Sequence, residues 1–265
     1  MDMDEASLGE ALYDLPIVRI DYFTETDSTN ERALAALGEQ GAREEYILMV
    51  AERQTAGRGR MGRSWITTPG ASLAATLLIH PTKTEEQKLG LFSLLGALSI
   101  CRSLTGLCGA RAQVKWPNDV LLDGRKTAGV LAESRWDGGQ IRGIALGMGI
   151  NVLPESVPTG QNLLFPATCV QAHCEQPVDP VTVLRAVLRE LFSLRPYLLE
   201  LRFFQAYINC LAYVGEDVQL TLPHNEKVHG KLAGIDATGQ LILKDADGLE
   251  TCYPIGDLRL RPDRV

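Results

Sequence analysis

Apolar residues fall along the chain in short runs set off by glycine, proline and charged residues, the pattern of a protein that mixes strands and helices. VRIDYF (18–23) reads as a strand. Asp27-Ser28-Thr29-Asn30 then supplies helix-capping residues, and ERALAALGEQ supplies strong helix formers before Gly41. YILMVAE (46–52) and SLAATLLI (72–79) are compact apolar strands. Between them lies RQTAGRGRMGRSWITTPGA, whose glycine and arginine content predicts a loop. EEQKLGLFSLLGALSICRSLTG (85–106) is apolar on most faces of a helix, which predicts burial.

From residue 111 the pattern becomes a series of strands. AQVKW runs into a turn at Pro117-Asn118-Asp119, and VLL runs into Asp123-Gly124. TAGVLAESRW and QIRGIALGMGINV flank Asp137-Gly138-Gly139, a tight hairpin signal. A proline-rich loop (154–166) precedes helices over roughly 179–211, with Pro196 ending or kinking the first. The tail then reads as a small all-β barrel: DVQLTL, KVHGKLAGI, GQLILKD and LETCYP are separated by turn residues. A larger domain over 1–212 and a small β-domain over 213–265 are therefore expected, a division that 265 residues can accommodate.

Apolar residues make up 45% and charged residues 22%, ordinary for a globular protein. The net charge of −7 lacks the broad positive field that nonspecific nucleic-acid binding requires, so any basic cluster is a local device. The acidic start, MDMDEASLGEALYDL, has neither basic nor apolar signal-peptide regions. Apolar stretches such as LGLFSLLGALSI are too short and too flanked by charge to span a bilayer. A cytoplasmic location without a membrane partner is expected. Cysteines at 101, 108, 169, 174, 210 and 252 form no CxxC pair. Cys169, His173 and Cys174 fit no common zinc spacing, so reduced thiols and no protein-held metal centre are expected.

Three clusters carry chemical character. Gly57-Arg58-Gly59-Arg60-Met61-Gly62-Arg63 concentrates arginine in an acidic protein. Planar guanidinium donors grip carboxylate or phosphate, and glycine lets the backbone N–H groups approach an anion. A solvated loop or an RNA-binding segment is the alternative, the latter at odds with the acidic balance. Lys115-Trp116-Pro117-Asn118-Asp119 sits at a strand end, with Lys126 seven residues further on at the start of an apolar strand. A lysine entering a buried strand needs a partner, although an edge lysine could also snorkel to solvent. Gly147-Met148-Gly149-Ile150-Asn151 ends a strand and lacks the third glycine of a dinucleotide fingerprint. No GxxxxGK[ST] phosphate loop occurs. Glycines inside a strand mark either a ligand lying on the backbone or a simple bulge.

In order, DSTN, QTAGRGRMGRSW, KWPNDV, RKTAGVLAE, GMGINV and a small β-domain resemble the biotin–protein ligases over residues 18–262. The resemblance implies an α+β fold: a mixed sheet backed by helices, as in class II aminoacyl-tRNA synthetases, followed by an SH3-like barrel. It implies that ATP, with Mg2+, adenylates biotin, and that biotin then passes to a lysine of the biotin carboxyl carrier domain of acetyl-CoA carboxylase. Ser28, Thr29, Asn30 and Gln54 would bind the biotin ring, with Gly129, Gly147 and Gly149 allowing close packing on it. Arg58, Gly59 and Arg60 would close over the biotin carboxylate and the phosphates. Lys126 would bridge carboxylate and α-phosphate as the chief electrostatic catalyst. Lys115 and Asp119 would lie near the phosphates and the transfer site, Asp119 positioning or deprotonating the incoming amine. Asn151 would support the nucleotide side, and Arg261 is a phosphate partner or a surface charge. Trp65 is expected to pack under the loop.

Two departures alter the picture. Fewer than twenty residues precede the first strand, too few for the winged helix of the DNA-binding relatives, so no DNA partner is expected. The tail reads Gly256-Asp257-Leu258 where the family commonly has glutamate, which shortens the acidic reach. A lipoate or octanoate ligase on the same scaffold, and a non-catalytic biotin sensor, are the alternatives. The residues leave open whether a surface strand near the ligand loop pairs with the carrier or with a second copy as a homodimer.

Overall fold

The computed structural model describes residues 3–37, 46–158 and 165–260. Its larger part contains α1 (Glu5–Ala11), β1 (Ile17–Thr26), α2 (Thr29–Ala36), β2 (Tyr46–Gln54), β3 (Ser72–Ile79), α3 (Gly90–Cys108), β4 (Ala112–Lys115), β5 (Asp119–Leu122), β6 (Arg125–Asp137), β7 (Gln140–Asn151), α4 (Pro180–Leu194) and α5 (Leu201–Cys210). The strands form one seven-stranded sheet in the order β1-β2-β3-β7-β6-β5-β4. β1 and β2 are parallel, joined through α2, and the remaining pairs are antiparallel.

The two-residue period of each strand sorts its side chains between two faces. Leu73, Ala75, Leu77 and Ile79 of β3 enter the main core with α3 and α4. Leu78 joins Met49 and Ala145 on the opposite face, under Ala33 and Ala36 of α2. β3 is buried on both faces, which is why its sequence runs apolar instead of alternating. α3 is long and apolar enough to cross a bilayer by length and composition, more so than its apolar stretch suggests, and two-thirds of that window (67%) is buried. It ends at Gly109, whose left-handed φ of +65° lets its N–H bond to the Thr105 carbonyl.

Several elements differ from expectation. The helix expected over 85–106 starts as a separate 3-10 turn, Glu85–Lys88, because the Glu85 carboxylate is drawn to Thr82 N and Arg195. Before Pro196 the helix stops, a 3-10 turn (Arg195–Tyr197) follows, and α5 resumes at Leu201. The capping box of Asp4 and Ser7 starts α1, an element without a strong apolar signal. The expected helix end at Gly41 lies outside the described residues. The thiol expectation is also corrected: Cys108 and Cys174 form a disulfide. Val170 N and Gln171 N bond to the carbonyls of Asn151 and Val152, which carries Cys174 to the end of α3. Cys101, Cys169, Cys210 and Cys252 are free. The His173 ring is engaged by Thr168 Oγ1 at 2.9 Å and Asp123 Oδ2 at 3.0 Å.

The tail forms β8 (Asp217–Thr221), β9 (Lys227–Ile235), β10 (Leu241–Lys244), β11 (Glu250–Tyr253) and β12 (Asp257–Leu260). They make a five-stranded antiparallel sheet in the order β11-β10-β9-β8-β12, with β12 absent from the sequence reading. Trp116 donates its indole N–H to the Gly239 carbonyl at 2.9 Å, seating this small sheet against the larger part.

Candidate active site

A cross-strand row builds the floor of the site. Ala51 (β2), Ala74 (β3), Gly149 (β7), Gly129 (β6), Asp119 (β5) and Lys115 (β4) are successive register partners. Small residues leave a hollow on the α2 face, and the row ends in an ion pair. One register step away, Met49, Thr76, Gly147 and Leu131 form a second row.

The hollow is filled in two places by the protein itself. A Cβ added to Gly147 would lie 2.2 Å from Asn30 Oδ1, and one added to Gly149 would lie 2.3 Å from Trp65 Cε2. The glycines therefore make room for Asn30 and for the Trp65 indole. The Trp65 ring lies on the floor while its backbone N–H bonds to the Gly57 carbonyl of the loop, and its Nε1 is buried without a hydrogen-bond partner among the described residues. Cavities lie on both sides of it. One of about 110 Å3 is lined by Ser28, Thr29, Asn30, Gln54, Gly147 and Gly149, among others. The other, of about 270 Å3, includes Asn151, Phe165, Ala167 and Arg259. Lys115, Asp119, Lys126 and Asp257 border both.

The first cavity has a polar wall. Ser28 stands at the start of α2 and makes no capping bond with its side chain. Gln54 Oε1 accepts from Thr29 N at 2.8 Å and from Thr29 Oγ1 at 3.1 Å. The Thr76 hydroxyl is 2.7 Å from both Thr29 Oγ1 and Asn30 Oδ1. Asn30 Nδ2 donates to Glu133 Oε2 at 2.7 Å and to the Leu131 carbonyl at 3.2 Å.

The junction is electropositive. Lys126 Nζ is 2.7 Å from Asp119 Oδ1, and Lys115 Nζ is 3.4 Å from Asp119 Oδ2 and 3.3 Å from Asp257 Oδ1. Arg63 Nη2 reaches Asp257 Oδ2 at 2.9 Å, and Arg259 lies 3.7 Å from the same oxygen. Arg60 donates to Asn118 Oδ1 at 3.1 Å. Arg60, Arg63, Lys115, Lys126 and Arg259 thus outnumber the two carboxylates, leaving uncompensated positive charge where an anion can enter. Lys115 is only 4% exposed, so its ammonium depends on these carboxylates. Burial would raise the Asp257 carboxyl, but Lys115, Arg63 and Arg259 outweigh it and hold it below its ordinary value. Burial pushes the Arg60 guanidinium down, partly offset by Asp119 and Asp257. Among the described residues no three His, Cys, Asp or Glu side chains gather as a metal cage.

The site residues expected from sequence thus meet in one region, with qualifications. Arg58 lines the first cavity but is paired with Glu31 and, at 3.0 Å, with Glu133. Asn151 supports the second cavity, donating to the Thr168 carbonyl at 3.1 Å. Gly59 lines the first cavity, and Arg261 lies outside the described residues. Thr76 and Asp257 join the site from outside the motifs, and Glu133 joins it from the end of RKTAGVLAE, where no role was expected of it. Asp257 had a signal as the acidic residue of the tail, and Glu133 as the last residue of RKTAGVLAE.

Comparison with known proteins gives one consistent picture. The model of the biotin/lipoate A/B protein ligase family matches residues 22–151, and that of the biotin protein ligase C terminal domain matches 213–253. A biotin–[acetyl-CoA-carboxylase] ligase of Paracoccus denitrificans is 35% identical over 234 residues, covering 84% of this chain and 93% of that protein. A bifunctional ligase/repressor of Bacillus spizizenii is 29% identical, and the chain spans 65% of its length. The biotin protein ligase of Aquifex aeolicus, solved in complex with biotin and ATP, superposes with a TM-score of 0.76 at 29% identity, covering 92% of this chain and 99% of that one.

Proposed function

The chain belongs to the biotin/lipoate A/B protein ligase family, and on that premise we propose that it is an ATP-dependent biotin–protein ligase acting on the biotin carboxyl carrier domain of acetyl-CoA carboxylase. The observation that carries this reading is the placement of Lys126 and Lys115 around Asp119, at the junction of a polar, small-floored cavity and a second one. Such a junction suits two anionic reactants that must meet.

In the first step a biotin carboxylate oxygen attacks the α-phosphorus of ATP. The new acyl–phosphate bond forms as the bond to the β-phosphate oxygen breaks, and pyrophosphate leaves. Both reactants are negative, so fixed cations must offset their repulsion, and preorganised charge of this kind is commonly a large catalytic contribution. Lys126, which borders both cavities beside Asp119, bridges carboxylate and α-phosphate. Lys115, Arg60 and Arg63 face the phosphates. In the second step the carrier amine attacks the acyl carbon, the carbon–nitrogen bond forms, and AMP departs as the amine loses a proton. Asp119 is clamped between two ammonium groups, so its first role is to hold Lys126 and Lys115 in place. An incoming amine approaches it by displacing one of them.

Ser28, Thr29, Asn30 and Gln54 bind the ring in the first cavity, and Asn151 and Arg259 support the nucleotide in the second. Mg2+ would accompany the triphosphate, held by phosphate and water oxygens, as hard octahedral ions usually are. The larger domain, 1–212, carries this site, and the small domain, 213–265, closes it with Asp257. A cytoplasmic setting suits a carboxylase-directed enzyme.

Pyrophosphate release from ATP, measured with biotin, lipoate and octanoate in turn, tests the reading. Release with biotin alone is expected. The Lys126→Ala variant should fold normally and release pyrophosphate at least about tenfold to hundredfold more slowly. Release with lipoate or octanoate instead would transfer the scaffold to another acid, and silence with all three would point to a sensor.

A further inference from the structure

Glu133 joins two parts of the site that arise far apart in the chain. Its Oε2 accepts from Asn30 Nδ2 at 2.7 Å and from Arg58 Nη2 at 3.0 Å. Asn30 belongs to α2 and the polar wall, whereas Arg58 opens the arginine loop. The other face of the Arg58 guanidinium pairs with Glu31, also on α2. The Leu131 carbonyl takes the second hydrogen of the Asn30 amide, at 3.2 Å. The amide is thereby fixed with Oδ1 toward Thr76 and over Gly147.

The Arg58–Glu133 pair is partly solvated, with side-chain exposures of 39% and 30%. Ion pairs of that exposure contribute little to stability. Their value here is alignment. A carboxamide has a donor end and an acceptor end, and turning it over exchanges them. A site that reads a cyclic urea by hydrogen bonds needs Asn30 in one orientation, and acceptors on the Nδ2 side, here the Glu133 side chain and the Leu131 carbonyl, enforce it.

Resting on the ligase reading above, we propose that Glu133 is a positioning residue that sets acid selectivity. It holds the Asn30 amide in one orientation and ties the start of the arginine loop to the wall that meets the biotin ring. Glu133 has no contact with Lys126, Lys115 or Asp119 among the described hydrogen bonds and ion pairs, so it acts on recognition and leaves the phosphoryl step to them.

The test uses the full chain and follows pyrophosphate release with biotin and lipoate titrated separately, alongside thermal melts. In Glu133→Ala the KM for biotin should rise roughly tenfold, as expected when a polar recognition group is released, and the preference for biotin over lipoate should shrink. Its kcat should stay within about threefold of the parent, because the lysines are untouched. Glu133→Gln keeps an acceptor for Asn30 and should recover most of the affinity. Glu133→Asp keeps the charge but cannot reach both partners, and should resemble the alanine variant, which keeps the test open if the latter does not fold. An unchanged KM in Glu133→Ala and Glu133→Asp, a fall confined to kcat, or a glutamine variant no better than alanine would overturn the proposal. Failure of the ligase reading is separate: it would show as a parent protein silent with biotin.

Discussion

Thr76 lies on β3 among apolar neighbours, fully buried, with its hydroxyl 2.7 Å from Thr29 Oγ1 and Asn30 Oδ1. Replacing it by valine keeps the shape and removes the partner of two buried polar groups. Orphaned groups of this kind cost about 1–3 kcal/mol. Thr76→Val should therefore lower the urea midpoint by that equivalent and raise the KM for biotin, and a variant as stable as the parent would show that Thr29 and Asn30 are satisfied elsewhere. Nothing in SLAATLLI marks this threonine, because threonine is an ordinary β-strand residue and its partners arrive from α2. Glu133 closes RKTAGVLAE, yet its role was hidden for a similar reason: its partners Asn30 and Arg58 lie far away in the chain. Ser28, Gln54, Lys115, Asp119 and Lys126 were legible because their motifs are contiguous and their chemistry is local. What the residues alone did not yield is which of them touch: Lys126 and Asp119 meet at 2.7 Å only because β5 and β6 pair.

At the scale of elements, the floor of the site is a property of register. Gly129 and Gly149 are partners in adjacent strands, yet their surroundings differ. A Cβ on Gly149 would lie 2.3 Å from the Trp65 ring, whereas one on Gly129 would meet nothing closer than 3.4 Å. Gly149→Ala must displace Trp65 and should lower pyrophosphate release by roughly tenfold or more, since small misplacements near reacting groups carry large rate effects. Gly129→Ala should stay within about threefold, a Cβ there making ordinary van der Waals contact. Equal effects in the two variants would mean that Trp65 does not share the floor with the substrate. Strand positions such as 72–79 and the hairpin around Asp137-Gly138-Gly139 were legible from period and turn chemistry. β12 was not, because GDLRL is too short and too charged to stand out, and it is defined by pairing with β8. The Cys108–Cys174 disulfide also escaped notice, since the two cysteines are 66 residues apart and meet only through the path of residues 165–174 around Asn151.

For the molecule as a whole, Asp257 is the point where the small sheet enters the chemistry of the large one. It lies on β12, but its partners Lys115 and Arg63 belong to the other part of the chain. Its short side chain reaches them because Gly256 packs against Leu220 and Thr221 with no room for a Cβ and brings the backbone in close. Asp257→Asn keeps the shape and removes the charge. Lys115 is then held by Asp119 alone and Arg63 loses its carboxylate, so pyrophosphate release should fall by roughly tenfold, the order of effect for a misaligned charged group. The same variant has a signature in stability. The folded-state pKa of Asp257 lies below its ordinary value, so the ionised carboxylate stabilises the fold at neutral pH, and that contribution disappears as the pH falls through the folded-state pKa. The parent should therefore be more stable than Asp257→Asn at neutral pH, and the two should converge as acid protonates the parent. Urea melts from neutral to strongly acidic pH would read this directly. A gap that stays constant across the range would assign the role of Asp257 to packing, and the small sheet would then support the site without contributing charge to it.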